Sequence, residues 1–146
     1  MSEDPARTRA EIVEALATVR VHWGDEEIGL TAYENVPKKP RPFDTWIEWH
    51  GDERGYEAKY LQTTWSVVVT LWPEKTENWT SLLDALRWPV RVGLERVGHV
   101  GRAALEAITD ADHSYRLPAI RYALTTTVEM PVPLGTERPD TPPWTQ

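Results

Sequence analysis

Residues 61–72, Leu-Gln-Thr-Thr-Trp-Ser-Val-Val-Val-Thr-Leu-Trp, are the most strand-like segment of this chain. Every odd position from 65 to 71 is apolar, and consecutive valines favour a strand because β-branched side chains pack well on a pleated surface. The even positions form a mixed second face: Thr64, Ser66, Val68, Thr70 and Trp72. We predict a long strand with one face in the core and the other in a semi-polar environment, such as a neighbouring subunit.

Working outward from this strand, further strands are predicted on both sides. Residues 45–50 and 56–61 flank the polar, glycine-bounded run 51–55, a pattern typical of a hairpin. Downstream, we predict strands at residues 103–108 and 120–130, separated by a turn at 110–113. Residues 98–101 are expected to form only a bend.

Two helices are predicted from the spacing of apolar residues. The first runs from Pro5 to His22, with Asp4 as its cap, and ends at Gly24. A proline-dense loop over residues 30–39 and beyond follows it. The second begins after Thr76 and continues to about Gly98, with a kink or a restart at Pro89 because proline lacks a backbone N–H.

These elements predict an α+β fold, with a mostly antiparallel sheet of about four to five strands packed against two main helices. The length of 146 residues suits one domain, which we place at residues 1–130. Residues 131–146 are predicted to form an extended, proline-rich C-terminal tail, since four of the twelve residues after Pro131 are proline.

The charge and composition disfavour several classes of protein. The net charge of -7 gives no electrostatic drive towards nucleic acid or an anionic membrane. The sequence contains no cysteine, which excludes disulfides and thiolate sites and fits a reducing compartment. We expect no membrane association, since there is no signal-like start and no apolar run long enough to span a bilayer.

Catalytic and ligand-binding motifs are missing from the sequence. The four histidines are scattered, and Gly-x-Ser-x-Gly and phosphate-binding loops do not occur. Asp110, Asp112 and His113 come nearest to a metal-ligand cluster, but the further oxygen ligands of a calcium loop are lacking. We therefore expect no enzyme, no cofactor and no metal, although paired carboxylates converging in a cleft stay open from sequence alone.

Eight tryptophans are the most unusual feature of the composition. By periodicity, Trp23, Trp65 and Trp79 are predicted to be core residues. Tryptophan beside arginine is typical of protein interfaces, although aromatic side chains also stack on sugars. The candidate interface residues are Trp46, Trp49, Trp72, Arg87, Trp88, Arg91 and Trp144.

The order of the predicted elements resembles that of the tail terminator proteins of long-tailed bacteriophages, particularly those of actinobacterial phages. The segments that carry this resemblance are residues 9–19, 33–42 with Asn-Val-Pro, 64–72, 78–86 with Leu-Leu-Asp-Ala-Leu, and 119–128. The family offers no catalytic or ligand motif to transfer to this sequence. The Trp-bearing C-terminal tail departs from its general pattern.

The resemblance implies a non-enzymatic virion protein that forms a ring, typically a hexamer, at the interface of head and tail. Such a ring would be assembled in the host cytoplasm, cap the major tail tube protein and meet the head–neck connector proteins. DNA would pass through its lumen without specific binding, which fits the acidic balance. Two alternatives stay open: another head–tail connector or neck protein, and a carbohydrate-binding module that uses exposed tryptophans.

Overall fold

The computed structural model describes residues 5–54, 59–72, 79–109 and 116–129. In chain order, its elements are α1 (Pro5–Ala17), β1 (Arg20–Trp23), β2 (Glu26–Gly29), β3 (Thr31–Tyr33), β4 (Asp44–Arg54), β5 (Tyr60–Thr70), α2 (Trp79–Glu95), β6 (His99–Thr109) and β7 (Arg116–Glu129). Strands β1 and β2 form a separate hairpin, and the other five form one sheet in the order β3-β4-β5-β7-β6. Only the short β3 pairs in parallel, so the predicted α+β fold with a mostly antiparallel sheet and two main helices is confirmed. The predicted tail lies outside the described residues.

Both helices pack on the same face of the large sheet. Helix α1 contacts β3 and β4, whereas α2 contacts β6 and β7 as well as β1. The predicted inward positions of β5 are confirmed, since Trp65, Val67 and Val69 are at most 2% exposed and belong to the main core. Strand β5 is the central strand, which is why its sequence is the most apolar.

The second face of β5 is buried by the chain itself at Ser66, Val68 and Thr70, whereas Thr64 on the same face is exposed. Val68 forms a small cluster with Trp46 and Ala119. The Thr70 hydroxyl donates to the carbonyl of Asp44 at 2.8 Å, and the Ser66 hydroxyl lies 2.6 Å from His50 Nε2. Intrachain partners satisfy the polar groups of Ser66 and Thr70. Contact of this face with a neighbouring subunit stays a prediction.

The first predicted helix is too long by five residues. It ends at Ala17, and residues 20–23 form β1 instead. The apolar residues Val19, Val21 and Trp23 also alternate, so they fit a strand as well as a helix, and the exposed residues between them lie on the outer side. Gly24 has a φ of 64° and allows the tight turn into β2. The expected loop from residue 30 likewise contains β3.

The predicted hairpin over residues 45–61 exists, but its turn is misplaced. Residues 51–54 belong to β4, and β4 and β5 pair as far as Arg54 with Leu61. Trp49 pairs with Trp65 and Gly51 with Thr64, so His50 is the extra residue of a β-bulge. The segments that were predicted as a second hairpin strand and as the long apolar strand form one element, β5, in the described part of the chain.

Helix α2 runs through Pro89 as one element, so of the two predicted alternatives, a kink or a restart, the restart is wrong. After it, residues 99–101, which were expected to form a bend, are already part of β6. The register between β6 and β7 shifts between Val100 and Ala103, which places a bulge there. The last strand begins earlier than predicted, at Arg116. Four apolar residues on one of its faces are buried: Ile120, Tyr122, Leu124 and Val128. The turn predicted at 110–113 lies outside the described residues.

Candidate interaction surface

Helix α2 brings together three of the candidate interface residues, Arg87, Trp88 and Arg91. Apolar residues on the other side of the helix, such as Leu86 and Val90, are completely buried, which forces this group outward. Trp88 is 66% exposed, the highest value among the large hydrophobic residues of the described chain. A partner that covered this indole would gain free energy by removing its apolar surface from water.

Trp88 lies between two concave regions. One, of about 260 Å³, is lined by Asp84, Arg87, Trp88, Arg91, Ala103 and Tyr122. The other, of about 310 Å³, is lined by Thr18, Val19, Arg20, Trp88, Pro89, Val92, Gly93 and Arg96. The exposed indole therefore projects between two grooves, and a partner can pack around it into both.

Arg91 is fixed in position by the edge strand. Its Nη2 donates to the carbonyls of Val100 and Gly101 at 3.0 and 3.1 Å, and its Nε lies 3.3 Å from Glu95. The bulge in β6 turns these carbonyls away from regular pairing, and the guanidinium satisfies them. Arg91 therefore ties α2 to β6 and has less freedom to meet a partner than Arg87 has.

Tyr122 supports the helix from below. Its hydroxyl donates to the carbonyl of Arg87 at 2.9 Å, within the helical turn that contains Pro89. Burial raises the pKa of the Tyr122 phenol well above its ordinary value, and the nearby Arg91 and Arg87 only partly offset this. The phenol is therefore a neutral hydrogen-bond donor at physiological pH, holding the helix turn that carries Trp88.

The surface around Trp88 is basic although the chain is acidic. We call it the Trp88 surface and define it as Arg20, Asp84, Arg87, Trp88, Arg91, Glu95 and Arg96. It contains four arginines and two carboxylates. Asp84, one of these carboxylates, pairs with Arg87 at 2.9 Å. Since the whole chain carries a net charge of -7, this local excess of positive charge favours an anionic partner.

The other candidate interface residues are distributed differently. Trp46 is 1% exposed and therefore offers no surface to a partner, whereas Trp72 is partly buried, with its ring 4.9 Å from that of Trp23. Trp46 is covered because it lies against Val68 on the second sheet face. Trp49 is 54% exposed and lies away from Trp88, on β4. Trp144 lies outside the described residues.

The three tryptophans that were predicted to be core residues do pack in or against the core. Trp65 is 2% exposed, and its Nε1 donates to Thr126 Oγ1 at 2.9 Å. Trp23 and Trp79 are partly buried against the main cluster. Their indole N–H groups bond to Ser81 and to the carbonyl of Trp72, so each polar edge has a partner.

Sequence reasoning missed a charged network on the second sheet face. Arg121 on β7 donates to Glu48 on β4 at 2.6 Å and to Glu106 on β6 at 2.8 Å. Burial alone would raise the pKa of Glu48, but bonds from Arg121 and Trp46 outweigh it and the pKa is lowered. Hydrogen bonding to Glu106 raises the pKa of Arg121. The network ties three strands together across β5.

His50 and Ser66 lie next to this network with a separation typical of a base and a nucleophile. Their Nε2 and Oγ atoms are 2.6 Å apart, but Glu48 approaches the same ring nitrogen, at 4.0 Å. A catalytic triad needs the acid on the opposite nitrogen, to orient the ring. Glu48 is moreover held by Arg121, so this group fits a structural role at the bulge better than hydrolysis.

Searches for a metal site and for a membrane span gave nothing within the described ranges. No group of three or more ligand-type side chains lies close enough to hold a metal ion there. None of the helices in that part of the chain combines the length and apolarity needed to cross a bilayer. Neither a scan against protein-family models nor a search of curated proteins gave a match.

Proposed function

We propose that this chain is a structural virion protein, a phage tail terminator, which forms a ring at the interface of head and tail. The observation that carries the proposal is Trp88, which is 66% exposed between arginines on a rigid helix. Tryptophan and arginine are the residues that contribute most to protein–protein affinity when a partner covers them. A protein that works by assembly needs such a surface.

The support for a ring comes from the shape and charge of the subunit. The compact sheet and helix layer holds Trp88 in a fixed position, since α2 is anchored through Tyr122 and Arg91. A fixed surface lowers the entropic cost of repeated identical contacts. The acidic balance of the chain suits a lumen through which DNA slides without adhering.

The partners follow from this role. The ring would contact itself, the major tail tube protein on one side and the head–neck connector proteins on the other. It would be assembled in the host cytoplasm and remain in the virion. Within the same class, another head–tail connector or neck protein would use the same kind of surface, and its binding preference separates it from a terminator.

The test is polymerisation of the tail tube protein in the presence of this chain. A terminator caps tubes and stops their growth, so electron microscopy should show shorter tubes with a ring at one end. Trp88→Ala should lose this effect, whereas Trp49→Ala, which alters the other exposed tryptophan, should keep it. Binding to connectors without any effect on tubes would instead identify a neck protein.

A carbohydrate-binding module is the second candidate, and Trp49 is the observation that favours it. Its indole is 54% exposed, and its Nε1 donates to Asp52 Oδ1 at 3.1 Å, so the ring is held in place. A fixed, exposed indole can stack on a sugar ring. Titration of oligosaccharides against tryptophan fluorescence tests this, and an unchanged spectrum across a broad panel of glycans removes it.

A further inference from the structure

The tip of the β1–β2 hairpin is the most concentrated acidic feature of the described chain. Asp25, Glu26 and Glu27 are consecutive and exposed, next to the turn at Gly24. None of the three forms an ion pair within the ranges that the structure describes. Three adjacent carboxylates repel one another, so a cationic partner would stabilise them.

The acidic tip lies beside the first turn of α2, and the helical residues of the Trp88 surface extend from the middle of α2 to its C-terminal end. Trp23, just before the tip, donates from Nε1 to Ser81 Oγ at 3.2 Å, which places the tip beside the first turn of the helix. Arg96 follows the last turn, and with a rise of about 1.5 Å per residue it lies roughly 22 Å further along the helix axis. Trp88 itself lies roughly 10 Å along the axis from Ser81. One subunit therefore presents an acidic tip and, further along α2, a basic surface.

We propose that the Trp88 surface of one copy binds the β1–β2 tip of a second copy, in a head-to-tail contact. The contact pairs unlike surfaces, so each copy keeps one of each free for the next copy, and the chain of contacts closes into a ring if the rotation allows. Arg87 and Arg96 face Glu26 and Glu27 in this arrangement, and Trp88 supplies the apolar centre. The inference rests on the proposed ring and assigns its subunit interface.

A second copy fits this surface better than nucleic acid does. Two carboxylates lie among the four arginines, which weakens the uniform positive field that phosphate backbones require. An acidic hairpin presents a few discrete charges, which can alternate with those of the surface. Arg96 is exposed and makes no ion pair in the described chain, so it is available for such a contact.

The test reverses the charges of each surface in the full-length chain. Arg87→Glu with Arg96→Glu gives the first variant, and Glu26→Lys with Glu27→Lys gives the second. Each variant alone should raise the dissociation constant of self-association about tenfold or more, measured by sedimentation velocity. Lys38→Glu with Lys39→Glu is the matched control for the arginine variant, because these exposed lysines lie elsewhere and both pairs of substitutions lower the net charge by the same amount.

A mixture of the two variants is the decisive test of the head-to-tail contact. In an equimolar mixture every contact pairs unlike charges again, either native or reversed, so rings with alternating subunits should form at nearly the wild-type level. Circular dichroism of each variant checks that the fold is intact. Restoration supports the head-to-tail contact, whereas two weakened variants that stay apart when mixed overturn it. Binding of double-stranded DNA that is lost only in the arginine variant would overturn it in favour of nucleic acid.

The outcomes separate this inference from the proposed function. If both variants form rings as the wild type does, the interface is assigned wrongly while the tail terminator proposal stands. If the wild-type chain stays monomeric at every concentration, with and without tail tube, both fail.

Discussion

Arg121 on β7 reaches across the central strand to Glu48 on β4, with its Nη1 2.6 Å from Glu48 Oε1. The two residues are 73 positions apart in sequence, and Glu106 binds the same guanidinium from the opposite side. This network spans the sheet on the face opposite α1 and α2, which no helix of the described residues covers. It therefore helps to fix the relative positions of the strands on whose other face α2 packs.

Arg121→Met should lower the free energy of unfolding by about 2 kcal/mol, since it leaves two half-buried carboxylates facing each other without a cation. The figure is modest because about a third of the side chain is exposed to water, which screens the charges. Urea denaturation measures the change. Arg102→Met, at an exposed position of β6, should stay within about 0.5 kcal/mol. Equal effects of the two would contradict a structural role for the network.

The stability conferred by Glu48 should depend on pH. The pKa of Glu48 is lowered in the folded protein, so in the acid range the unfolded state binds more protons. The stabilisation is complete above the ordinary glutamate pKa, about 4.3, and is lost as pH falls through the folded pKa. Urea midpoints of the wild type and Glu48→Gln, compared from neutral pH to about pH 3, should converge on acidification. A constant difference would show that the charge of Glu48 is irrelevant.

Two tryptophan substitutions should have opposite effects on stability and association. Trp65→Ala should cost about 3 to 5 kcal/mol because it empties a buried site and leaves Thr126 without its indole partner. Trp88→Ala should change stability by less than about 0.5 kcal/mol and weaken self-association. Thermal denaturation and sedimentation velocity on the same samples measure both. A large loss of stability from Trp88→Ala would assign it to the core rather than to an interface.

The sequence predicts an element well where the spacing of its apolar residues fits only one type of secondary structure. The valines at 67–69 indicate a central strand because both faces of that strand are buried. The residues 19, 21 and 23 fit a helix continued from Leu16 and an alternating strand equally well, so the end of α1 could not be placed. The strand is favoured by a tertiary contact, since the indole N–H of Trp23 donates to Ser81 of α2.

Only part of the candidate interaction surface could be predicted, because some of its residues depend on contacts between distant strands. Exposure of Trp88 follows from the helical period, because buried residues occupy the opposite side of α2. Trp46 could not be placed, since its cover comes from Val68 and Ala119, whose positions depend on strand order. Glu48, a charge within the apolar segment Trp46–Trp49, was the one signal of a buried partner, but Arg121 could be assigned to it only from the register.

Glycine at position 98 should be needed for close packing between β6 and β7. A Cβ there would meet the carbonyl oxygen of Thr125, which is backbone and cannot move aside cheaply. Gly98→Ala should therefore cost more than about 2 kcal/mol. Gly24→Ala is the comparison, because it meets no atom within 4 Å and carries only the penalty of a φ of 64°, about 1 kcal/mol. Equal urea midpoints for the two variants would contradict the close contact at Gly98.

Native mass spectrometry of the full-length protein, alone and with tail tube protein, tests the central claim most directly. A tail terminator should form a closed oligomer of one stoichiometry, with the hexamer expected, on its own or on the end of the tube. Trp88→Ala should reduce its abundance while leaving the folded monomer intact. A chain that stays monomeric under all conditions and never binds the tube would contradict the account.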